Sequence, residues 1–102
     1  MSNRLVIQNI GLVLSGDLEN PILEADTIAT ADGKITGIGT AKDFDTEGAT
    51  VVDVKGTTVT PGLIDSHVHP VAGDWTPRQS QINWIDSSLH GGVTTMISAG
   101  EV

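Results

Sequence analysis

The sequence contains no cysteine, which excludes disulfides and thiolate metal ligands and fits a reducing, cytoplasmic setting. Basic residues are scarce. Lysine and arginine together number 5 against 13 aspartates and glutamates, for a formal net charge of −8. With no basic patch or basic helix to meet phosphates, a nucleic-acid partner is not expected. The acidic surface argues for solubility. Long hydrophobic runs are also missing, and no stretch approaches the roughly 20 apolar residues of a membrane span. Leu5, Val6 and Ile7 near the start are interrupted by Gln8 and Asn9 before the core of a signal peptide forms.

What is present is a succession of short strands. Residues 4–10 are rich in β-branched side chains, and residues 12–14 resume the pattern after Gly11, which marks a bulge or bend. Residues 15–21 are turn-rich. Residues 26–31 and 34–38 flank Asp32-Gly33, a strong two-residue hairpin signal, with Ile35 and Ile38 available for burial. Residues 39–48 are polar and acidic and read as a solvated connection. Residues 50–54 form another strand, Lys55-Gly56 a turn, and residues 57–60 lead onward. Four or five strands at this spacing describe a small β-sandwich or flattened barrel.

The chemistry is concentrated in residues 61–70. Leu63 and Ile64 continue an apolar run from Val59, as a buried strand does. Side chains alternate along a strand, so Asp65, His67 and His69 are expected on one face. Two imidazoles at a strand end suit one transition-metal ion, and a carboxylate two residues upstream suits holding a ring or backbone group in place. A His-x-His pair alone is a weak signal, because surface and hydrogen-bonded core histidines are common. Beyond it, Thr76-Pro77 reads as a helix start, Ile82, Ile85 and Leu89 recur at helical spacing, and Gly91-Gly92 ends the helix. Residues 93–99 then form an apolar strand, completing a strand-helix-strand crossover.

Pro61, Gly62, Asp65, His67 and His69 together resemble the Pro-Gly-x-x-Asp-x-His-x-His motif of the metal-dependent amidohydrolase superfamily. Gly73-Asp74, Pro77-Arg78-Gln79 and the run from Leu89 through Gly100 are most similar to its enamidase branch. The resemblance implies a β-rich, sandwich-like composite domain over residues 1–58, followed over residues 59–102 by the first β-α-β unit of a (β/α)8 TIM barrel. A complete barrel needs about 250 residues, so the chain reads as the N-terminal, truncated portion of a longer protein. His67 and His69 are then metal ligands for a divalent ion, zinc or another transition metal such as iron, as one ion or two. Asp65 orients the site or makes a purely structural hydrogen bond, and the substrate is a cyclic amide whose C–N bond is cleaved by activated water. Further ligands would come from later strands, so the 102-residue chain alone is expected to be inactive.

Arg78, in the first turn of the expected helix, is a candidate to pair with a substrate carboxylate, although an exposed helix-start arginine serves as well. The arginine that dihydroorotase-type relatives place two residues after the second histidine is here Val71. His90 fits the favourable position of a cation at a helix C-terminus, and Trp75 and Trp84 read as packing residues. The alternative function is a non-catalytic acidic β-rich module. It would associate with a partner chain, or with itself as a homo-oligomer, through an exposed strand edge.

Overall fold

The computed structural model describes residues 3–69 and 84–99. The chain divides into two compact units, Met1–Pro61 and Gly62–Val102. Thr76, Pro77 and Ile82, on which the helix start was placed, lie outside the described residues, as do Asp74, Trp75 and Arg78.

Seven strands build the first unit: β1 (Arg4–Gln8), β2 (Leu12–Leu14), β3 (Ile22–Leu23), β4 (Thr27–Ala31), β5 (Lys34–Gly39), β6 (Thr50–Asp53) and β7 (Thr58–Val59). They form two sheets, ordered β5-β4-β1-β6 and β3-β2-β7. The hairpin between β4 and β5 turns at Asp32 and Gly33, whose φ angles of 53° and 82° are the two positive values that a type I′ turn requires. Asp32 also closes the end of the sheet. Its carboxylate accepts the Asn3 N–H at 2.8 Å, and its own N–H donates to the Asn3 carbonyl at 2.8 Å.

The two sheets are linked at a corner that two neighbouring strands turn together. β1 pairs in parallel with β6, and β2 pairs in parallel with β7. Between them the chain reverses its twist at Asn9 (φ 58°) on one path and at Lys55-Gly56 (φ 55° and 81°) on the other. Hydrogen bonds bridge the paths, from Val54 N–H to the Gln8 carbonyl (3.1 Å), Gly56 N–H to the Asn9 carbonyl (2.7 Å) and Gly11 N–H to the Thr57 carbonyl (2.9 Å). A Cβ on Gly11 would overlap the Gly56 carbonyl, so the expected bend at Gly11 is a close crossing of two backbones.

Ile10, Val13 and Ile28 form the core, with Ile7, Leu23, Ala25, Val54 and Val59 packed around them. Val6 in β1 and Thr27 in β4 are the most enclosed side chains, each 1% exposed. Burying a side chain such as Val6 contributes roughly 1.5–3 kcal/mol. The Thr27 hydroxyl escapes an unpaired burial by donating to Asp26 Oδ1 at 2.7 Å.

Two expectations for this unit need correction. The described residues of this unit form seven strands rather than four or five, because β3 and β7 are only two residues long and carry no periodic signal. Ile35 and Ile38 are exposed, Ile35 to 63%, because β5 is the outermost strand of its sheet. The Phe44 ring instead covers this strand at Gly37 and Gly39, where the absent side chains leave room for it. Arg4 gathers the connection that follows, donating from Nη1 to the Glu47 carbonyl at 2.9 Å and from Nη2 to the Asp45 carbonyl.

The second unit contains β8 (Leu63–Val68), α1 (Trp84–His90) and β9 (Val93–Ser98), with β8 and β9 parallel. The strand-helix-strand order matches the sequence pattern. Helix α1 ends as expected: Gly92 N–H donates to the Leu89 carbonyl at 2.9 Å, and Gly92 adopts φ 94°, the left-handed region that glycine tolerates at a helix end. Leu63 and Ile64, expected to be buried, are 56% and 65% exposed. The reason is topological, since β9 is the only strand paired with β8 among the described residues and the sheet has two members. No helix among the described residues is long and apolar enough to cross a membrane.

Candidate metal centre

Strand β8 delivers the chemistry-bearing residues to its C-terminal end. Its position is set at the N-terminal end by Gly62. A Cβ there would fall onto Oγ1, Cγ2 and Cβ of Thr94, so only glycine lets Thr94 sit against the entry of β8. Leu63 N–H donates to the Gly92 carbonyl at 2.8 Å, and Ala99 N–H donates to the Val68 carbonyl at 2.8 Å. Both ends of the strand are thus tied to the β9 path.

Between those ties the register is irregular. Leu63 pairs with Val93 and Ile64 with Thr95, so β9 has one extra residue, Thr94. Asp65 then pairs with Met96 and Val68 with Ser98, so β8 advances three residues while β9 advances two. The two offsets cancel. Five positions separate Leu63 from Val68 and Val93 from Ser98. The expected strict alternation is therefore interrupted at the residues that carry the site, because a bulge shifts the side chains beyond it.

His67 and His69 nevertheless lie side by side, with ring centroids 5.1 Å apart and planes at 75°. Residues two apart on a straight strand are separated by roughly 6.6 Å. The rings therefore converge. Two imidazoles bound at about 2.0–2.1 Å to one tetrahedral zinc ion have ring centres roughly 5 Å apart, so the pair fits a shared ion. Asp65 Oδ1 accepts the backbone N–H of His67 at 3.2 Å. The carboxylate thus holds the backbone at His67.

Both histidines and Asp65 are exposed in the second unit. Among the described residues no three of the metal-binding types are gathered. Catalytic zinc sites use three protein ligands. Arg78, the candidate carboxylate clamp, lies outside the described residues. His90 sits in the last turn of α1, as its sequence position suggested. Sequence reasoning missed the role of Thr94 against Gly62. Its only signal is the small residue at the entry of an otherwise apolar strand.

No protein-family profile matches the chain. An enamidase from Eubacterium barkeri is 52% identical over 99 residues, covering 96% of this chain and 26% of its own length. An allantoinase from Bacillus licheniformis is 39% identical over 95 residues, covering 90% of this chain and 19% of its own length. The crystal structure of an enamidase, a member of the amidohydrolase superfamily, superposes with a TM-score of 0.86 at 52% identity over 97% of this chain and 26% of that one. The chain thus spans no more than 26% of the length of these relatives.

Proposed function

Because the chain belongs to the amidohydrolase superfamily, on its enamidase branch, we propose that it supplies one side of the active site of a hydrolase that opens a cyclic amide with water. In this reading the first unit is the first part of a composite β domain, and the second opens a (β/α)8 barrel with β8, α1 and β9. His67 and His69 hold a divalent ion at the C-terminal end of β8, the end at which barrel enzymes carry their chemistry. Zinc suits the paired imidazoles, and iron or another transition metal remains within the same ligand chemistry. When bound, such an ion lowers the pKa of a water molecule and polarises a carbonyl. Asp65 orients the ligand segment, and Arg78 pairs with a carboxylate on the substrate ring. Two imidazoles fall short of a full catalytic ligand set, so the remaining ligands come from other barrel strands. The lack of cysteine suits a cytoplasmic enzyme.

The observation that carries this reading is the convergence of His67 and His69 to 5.1 Å at the end of β8. In the intact protein, hydrolysis of cyclic amides should be lost on chelation and restored by zinc. Ring opening that survives exhaustive chelation would end the proposal. A second reading is favoured by the exposed Leu63, Ile64 and Ile97 of the two-stranded sheet: the acidic β-rich chain associates with a partner or a second copy through this edge. Sedimentation separates the two, since the second reading requires a stable complex in the absence of substrate and metal.

A further inference from the structure

The register of β8 and β9 contains two bulges that cancel, Thr94 on one strand and the segment between Asp65 and Val68 on the other. Between them the strands are slipped by one residue, and a one-residue slip moves side chains to the opposite face. The bulge in β8 ends where the imidazoles emerge. A bulge also leaves a backbone donor outside the ladder, and the His67 N–H is received by Asp65 Oδ1 at 3.2 Å.

We propose that Asp65 is a positioning residue that latches the β8 bulge through the His67 backbone and so sets the two imidazoles 5.1 Å apart. The inference rests on His67 and His69 being the metal ligands. It assigns Asp65 an action distinct from that of a carboxylate that charges the site or binds the metal: what matters is an acceptor oxygen at Oδ1. Asparagine has that oxygen and lacks the charge. Alanine has neither.

The test uses zinc as the probe in the intact protein, with zinc affinity measured by calorimetry and exchange of the His67 amide measured by NMR. Asp65→Ala should weaken zinc about 10–100-fold, the range for removing a group that supports a ligand, and should speed exchange of the His67 amide. Asp65→Asn should stay within about threefold of the wild type in zinc affinity, far inside that range, and should keep the amide protected. Asparagine is isosteric, so its result stands even where the alanine variant folds poorly. An Asp65→Asn variant that folds but binds zinc as weakly as Asp65→Ala would overturn the latch in favour of a charge effect. Wild-type affinity in Asp65→Ala would overturn it outright. Failure of the underlying metal reading has a separate signature: His67→Ala and His69→Ala would then leave zinc binding unchanged.

Discussion

The two units use their apolar residues in opposite ways. In the first, Val6, Ile10, Val13 and Ile28 are buried where two sheets meet, and the unit has a core of its own. In the second, no described residue is buried, and Leu63, Ile64, Ile85, Leu89 and Ile97 are exposed. Parallel strands are ordinarily covered on both faces. The first unit therefore has a core within its own residues, whereas the described residues of the second have none. The candidate ligands His67 and His69 lie on the second.

Charge placed in each unit should break the symmetry most strongly. Val6→Asp buries an unpaired carboxylate and should cost at least about 4 kcal/mol, enough to unfold the first unit in a denaturant titration. Ile64→Asp in the same 102-residue chain should change stability by no more than about 0.5 kcal/mol, as exposed positions do. Where further strands cover this sheet, the cost at Ile64 should rise toward that at Val6. Equal costs at the two positions in the 102-residue chain would erase the contrast.

Gly62→Val probes the second unit from within. The new side chain must displace Thr94, so a loss of about 1–3 kcal/mol is expected. Thr94→Ala in the same background should recover part of it, because the two residues are in contact. Additive effects in a thermal-unfolding cycle would remove Thr94 as the partner.

The smallest effect belongs to Asp43, in the 3-10 turn Ala41–Asp43 of the first unit. Hydrogen bonds from the Thr40 backbone N–H (3.0 Å) and the Thr40 hydroxyl (2.9 Å) to Oδ2 hold its carboxyl below the usual aspartate range. A lowered value in the folded state means that the contribution is complete above the ordinary aspartate pKa of about 3.9 and is lost as pH falls through the folded one. Asp43→Ala should flatten that acid limb and leave stability near neutral pH slightly reduced. An NMR titration of Asp43 with its midpoint at or above the ordinary value would contradict the assignment.

Local features of both units were legible in the sequence. Asp32-Gly33 announces its hairpin because a type I′ turn needs two positive φ angles, and Gly92 announces the end of α1 for a related reason. Residues 93–98 carry their strand in β-branched side chains. Pairings between distant segments were not legible. Nothing in residues 4–8 specifies a parallel partner at residues 50–53, and Ile35 has the composition of a core residue at an edge. The closeness of His67 and His69 was readable from their spacing of two along a strand. The paired bulges were not, because one extra residue on each strand leaves the apolar pattern at both ends unchanged.

The most direct test of the account is metal content in the intact protein, measured by elemental analysis for the wild type, His67→Ala and His69→Ala after equilibration with zinc. The account predicts stoichiometric zinc in the wild type and its loss, together with cyclic-amide hydrolysis, in each variant. Undiminished zinc and activity in both variants would contradict it.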